Sequence, residues 1–215
     1  MADAPAPQPD DDPYPGAAPY ALLRQDARED FWQVVSVAGV RVRDLFAGVP
    51  LARPPAPVRV VTSASTPEPC DFLEFPCPLV SDAMRRALER AGVDTVQYLP
   101  AHVHREGRAA PIATDYWAAN VMGAIACAEP LPRPAPAPGV EAGPEPPFRV
   151  DPVRARGCPL FRLAEDRDLL LAGARVADAL RGANLRGVVL QAPETYDGFP
   201  VSTAPPAPDP PTGAR

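Results

Sequence analysis

Residues 71–100, DFLEFPCPLVSDAMRRALERAGVDTVQYLP, constrain the fold most, because they hold a helix start, a helix face, a stop and a following strand. Ser81 is a natural N-cap, since its hydroxyl can accept from a free N–H of the first turn. Asp82 stands at the positive end of the helix dipole. Met84, Ala87, Leu88 and Ala91 form an apolar stripe at helical spacing, and Arg85, Arg86, Glu89 and Arg90 fill the opposite face. Gly92 follows the last periodic residue, where a left-handed residue closes a helix without a Cβ penalty. Residues 93–99, rich in Val, Thr and Tyr, read as a strand that Pro100 ends or bends.

The same pattern returns near the C-terminus. Residues 87–98 (ALERAGVDTVQY) set over 179–190 (ALRGANLRGVVL) match Ala87 to Ala179, Leu88 to Leu180 and Ala91 to Ala183. Gly92 falls on Asn184, and Asn is the next most common residue at the left-handed cap. Leu169, Gly173, Val176, Ala177 and Leu180 supply a second apolar helical face. The spacing predicts a local structure used twice, too few copies for a solenoid.

Prolines divide the rest, with 33 in 215 residues. Residues 1–19 are rich in Pro and Asp with little to bury, and are expected to be a disordered tail. Residues 130–147 carry eight prolines in eighteen positions, a loop or spacer. Residues 200–215 form a second Pro-rich tail. Between these, residues 20–24 (YALLR) read as a short strand. Residues 31–42 are a stronger β candidate, with Gly39 marking a turn or bulge. Residues 58–61, fenced by prolines, allow one edge strand at most. Residues 101–121 read as the rest of a hairpin turning at 105–108, and 123–129 as a short apolar helical turn. The expected architecture is a single α+β domain over residues 20–199. It has a small mixed or antiparallel sheet with two helix–turn–strand units packed on it.

Composition narrows the function. All 21 basic residues are Arg, so there is no Walker lysine, Schiff-base lysine or Ser–Lys dyad. A net charge of −6 speaks against general nucleic-acid binding and suits a basic partner. No run approaches the ~20 apolar residues of a membrane span, and MADAPAPQPDDD lacks the regions of a secretion signal. Cys70, Cys77, Cys127 and Cys158 read as the free thiols of a cytoplasmic protein.

Candidate chemistry is sparse. His102 and His104 form half of a metal site, but Cys70-x6-Cys77 lacks zinc spacing and no third ligand stands near. Asp71 and Glu74 lie before a helix, where a capping or loop role competes with paired-carboxylate chemistry. Ser81 has no G-x-S-x-G elbow around it. No catalytic residue, metal or cofactor is expected. Ser81, Gly92 and Asn184 are assigned structural roles. Glu194, Tyr196 and Asp197, in a polar turn after the last strand, are the candidate partner contacts.

YALLR, then residues 71–100, then YWAANVMGAIACAE, then LFRL with LLLAGARVADALRGANLRGVVL, resemble the immunity protein eleven family, a bacterial domain of polymorphic-toxin systems. The shared features are Asp71 to Leu73, Leu79 to Ser81, Val96 to Pro100, Tyr116 to Val121 with Asn120, and Gly187–Val188. They span about residues 20–190. The chain departs from the family at Ala126 to Glu129, where an Asp-bearing segment and a serine usually stand. The resemblance implies a protein that binds and neutralises a cognate toxin without catalysis. The alternatives are a structural or adaptor protein of a secretion or toxin-delivery system, and a small hydrolase using Asp71, Glu74 or Ser81.

Overall fold

Strand pairing organises this chain more than its two helical stripes do. The computed structural model describes residues 20–28, 30–52, 56–132 and 145–203. The expected tail 1–19, the centre of the Pro-rich insertion (133–144) and residues 204–215 lie outside the described residues. In order come β1 (Tyr20–Gln25), β2 (Val34–Ala38), β3 (Val58–Thr62), β4 (Phe72–Leu73), β5 (Leu79–Ser81), α1 (Asp82–Arg90), β6 (Val96–Arg105), β7 (Pro111–Val121), β8 (Ala124–Ile125) and β9 (Ala128–Pro130). They are followed by β10 (Phe148–Val150), α2 (Pro152–Ala155), β11 (Leu160–Leu163), β12 (Leu170–Gly173), α3 (Ala174–Gly182) and β13 (Val188–Gln191).

The fold is α+β, but its sheet is not small. Six strands run in the order β2-β3-β6-β7-β5-β4, five in the order β13-β1-β12-β11-β8, and β9 pairs with β10 in a separate hairpin. Both large sheets are mixed, because β3–β6 and β11–β8 are parallel and the other pairs antiparallel. Each is covered on both faces. In β1, Leu23 joins the core around α1 and α3, while Tyr20 and Leu22 face the core under β9, β10 and α2. In β7, Ala119 and Val121 face the helices, while Tyr116 and Ala118 face the core around Trp32 and Leu45. Successive residues of a strand point to opposite faces. Strands buried on both sides therefore read as continuous apolar runs.

Ser81 caps α1, accepting from the Met84 amide at 3.1 Å. Gly92 (φ +83°) and Asn184 (φ +51°) are both left-handed beyond the ends of α1 and α3. The strands that follow go to different places: β6 lies inside the six-stranded sheet, and β13 is an edge of the five-stranded one. Asp71 ties the two regions together. Its carboxylate accepts from the Ser81 hydroxyl and from the Arg186 amide at 2.7 Å, and its own amide donates to the Arg186 carbonyl at 2.7 Å.

Several local expectations are corrected. Leu169 and Gly173 are not on a helical face, because residues 170–173 are β12 and Gly173 is the residue before α3. A short apolar run bears no period that separates strand from helix. For the same reason residues 123–129 hold β8 and β9 rather than a helical turn. β3 is interior, paired with β2 and β6, because the prolines flank the five ladder residues without entering them. Pro100 does not end β6. It lies one residue before pairing with β3 begins at Ala101. Of residues 31–42, only β2 is a strand, and a 3-10 turn follows from Val42.

The Pro-rich insertion is closed at its base by the β9–β10 hairpin, with the Leu131 amide donating to the Pro147 carbonyl at 2.9 Å. The expected C-terminal tail begins too early at residue 200. The Ala27 amide donates to the Val201 carbonyl at 2.7 Å, and buried Asp26 accepts from the Thr203 amide at 3.1 Å and from the Thr203 hydroxyl. Deleting residues 204–215 is therefore expected to leave the melting temperature unchanged. Deletion from Val201 strips partners from a buried carboxylate and should cost about 1–3 kcal/mol. Thermal denaturation of the two truncations separates these outcomes.

Candidate functional site

An open cleft of about 580 Å³ lies at the polar end of β1. Its floor is set by a charged residue closing an apolar strand. Arg24 follows Ala21, Leu22 and Leu23, and its side chain is only 7% exposed. It meets Glu74, equally buried, with Nε 2.9 and 3.2 Å from the two carboxylate oxygens. Glu74 also accepts from the Gln25 amide at 3.1 Å, and the Glu74 amide donates to the Gln25 side chain at 3.0 Å. Burial pushes Glu74 above the usual carboxylate range, against the opposing pull of Arg24 and the Gln25 amide.

One wall is Tyr196, which packs edge-to-face on Phe148 at 6.0 Å and has the Arg24 guanidinium 5.4 Å from its ring centre. The opposite lip carries Phe75, 53% exposed. The lining also carries three further acids, Glu145, Asp166 and Asp168, together with Arg28 and Gln33. The loop bearing the two aspartates is held from below by Arg162. This arginine is fully buried and lies over Phe46 at 4.5 Å, donating to the carbonyls of Arg167 (2.6 Å) and Leu45 (3.1 Å). Burial lowers its pKa to about 10.

The candidate contact residues separate. Tyr196 is a buried wall of the cleft rather than a protruding contact, because its ring completes the core under β10. Glu194 is exposed in a 3-10 turn. Asp197 is exposed and accepts from the Phe199 amide at 3.0 Å, while its carbonyl receives the Glu145 amide at 3.1 Å. Asp71 and Glu74 do not come together. Glu74 lies in this cleft, whereas Asp71 and Ser81 line another concavity of about 420 Å³ beside Trp32 and Arg186.

His102 is half-buried. His104 lies between Arg59 Nη1 (3.1 Å) and the Ala109 carbonyl (3.0 Å), so Nε2 accepts and Nδ1 carries the proton. Among the described residues, no group of three or more His, Cys, Asp or Glu is placed to hold a metal. Arg24, Asp166 and Asp168 escaped the sequence reading. The only signal for Arg24 was a lone charge closing an apolar strand.

All four cysteines are free. Burial pushes Cys70 and Cys77 up to about 12 and Cys127 to about 11. At pH 8 a thiol of pKa 12 is thiolate in about one molecule in ten thousand. Iodoacetamide on the native protein is expected to label half-buried Cys158 first and to spare Cys70 and Cys77. Peptide mapping of early alkylation checks this.

No family model matches the chain, and no curated protein matches it. No helix among the described residues is long and apolar enough to cross a membrane.

Proposed function

We propose that this chain is a cytoplasmic immunity protein, which binds a cognate bacterial toxin and blocks it by covering it. The observation that carries this reading is how the polar side chains are used. Ser81 caps a helix, Asp71 bridges Ser81 to Arg186, and Glu74 is held by Arg24 and Gln25. What remains open to a partner is a preformed cleft with Glu145, Asp166 and Asp168 in its lining and an exposed phenylalanine, on a chain of net charge −6. Such a surface suits a basic protein better than a nucleic acid. The family resemblance points the same way.

The test is whether a toxin-like reading frame stands next to the gene and, where one does, co-expression with it. Restored growth and a stoichiometric complex are expected, and a toxin that still kills with no complex formed overturns the reading. An adaptor role in a secretion or toxin-delivery system draws support from the hairpin that fixes both ends of the Pro-rich insertion. Deleting residues 133–144 would abolish adaptor binding but leave toxin neutralisation intact.

A further inference from the structure

We infer that β13 pairs edge to edge with β13 of a second copy of this chain, antiparallel about a two-fold axis at Val189, so that two five-stranded sheets join into one. Such pairing is independent of the immunity reading. The two large sheets end on β2, β4, β8 and β13. β4 and β8 have two residues each, and β2 is bulged between Val34 and Ser36. Shortness and bulges blunt an edge against a second strand. β13 has neither protection: it is four residues long, and its ladder with β1 runs without a shift. Its sequence, VVLQ, holds no charge and no proline.

The register says which backbone groups are open. The Asp26 amide donates to the Gly187 carbonyl at 3.0 Å, in line with the β1–β13 ladder. Successive residues of an antiparallel ladder turn their backbone groups to alternate sides. Gly187, Val189 and Gln191 therefore face β1, while Arg186, Val188 and Leu190 face outward. Asp71 satisfies Arg186 there, taking its amide and its carbonyl at 2.7 Å each. Val188 and Leu190 have no outward hydrogen-bond partner among the described residues. With the axis at Val189, Val188 of each copy stands opposite Leu190 of the other. Each such pair exchanges both of its hydrogen bonds, which satisfies every open group.

Charge at the two ends favours a second copy as the occupant. The Arg186 side chain precedes β13 and is 55% exposed even with Glu68 at 2.6 Å. Exposed Glu194 follows the strand. Antiparallel pairing sets the basic end of each copy beside the acidic end of the other, and the two-fold axis repeats the match.

Sedimentation of the full-length protein over a dilution series is expected to show a monomer–dimer equilibrium. Hydrogen exchange reads the register. The Val188 and Leu190 amides should slow by about tenfold or more on dimerisation, and Val189 and Gln191, already bonded to β1, by much less. Val189→Glu sets two carboxylates opposite each other at the axis and should weaken the dimer about tenfold. Glu194→Arg should weaken it by a smaller factor. A protein that is monomeric at every concentration overturns the inference. So does a dimer in which Val188 and Leu190 exchange as they do in the monomer, or one that both variants leave intact. If Val189→Glu fails to fold, the exchange pattern of the unaltered protein decides alone.

Discussion

Glu74→Ala is expected to destabilise the protein by about 3–5 kcal/mol, because it leaves the Arg24 guanidinium buried without its carboxylate. For a chain of this length, that is a fall of roughly 6–20 °C in melting temperature. The paired change, Arg24→Met with Glu74→Leu, should recover most of the loss, since two apolar side chains need no desolvation of charge. If the double variant is no more stable than Glu74→Ala, the cost lies in packing and not in the stranded charge. The pH dependence carries its own sign. Folding raises the Glu74 pKa, so its contribution is full below the unfolded carboxylate value and is lost as pH rises through the folded one. Glu74→Gln should remove that limb of the stability profile.

Gly187→Ala is the second large effect. Gly187 has φ +70°, and a Cβ there would stand 2.5 Å from the Cys70 Cβ, a contact no rotamer change relieves. The left-handed backbone and the overpacking together should cost about 2–4 kcal/mol. Gly92 is equally left-handed at +83°, but a Cβ there meets nothing nearer than the Arg175 guanidinium at 3.9 Å. Gly92→Ala should therefore cost only about 1 kcal/mol, and Gly92→Val about 1–2. Denaturant melts of Gly187→Ala and Gly92→Ala are the comparison. Equal losses would mean that the turn before β13 sits farther from Cys70 than these distances state.

What was legible in the sequence was local. The Ser81 cap, the stripe from Met84 to Leu88 and the turn at Gly107 each act within a few residues. Composition and spacing display such features directly. Sheet membership was not legible, because β1 pairs with strands about 150 residues away and nothing in YALLR names them. The run LLLAG was ambiguous in period, and its burial on both faces removed the alternation that would have marked it as a strand. The cleft was less legible still. Asp166 and Asp168 look like ordinary surface acids, and only the fold brings them opposite Tyr196 and the Arg24–Glu74 pair. The turn holding Glu194, Tyr196 and Asp197 was visible as polar and aromatic. Which of the three would face a cavity depended on Phe148, across the Pro-rich insertion.

The place of β1 has a consequence for how the protein is made. Its neighbours β12 and β13 lie roughly 150 residues later in the chain. At about 5–20 residues per second, Leu22 and Leu23 wait roughly seven to thirty seconds for their partners. All the strands of the six-stranded sheet lie within residues 34–121, so that sheet has its full complement long before. Synthesis is thus vectorial but folding is not. β1 enters its sheet only after residues 170–191 have been made, and a chain released before them carries it as an exposed apolar edge.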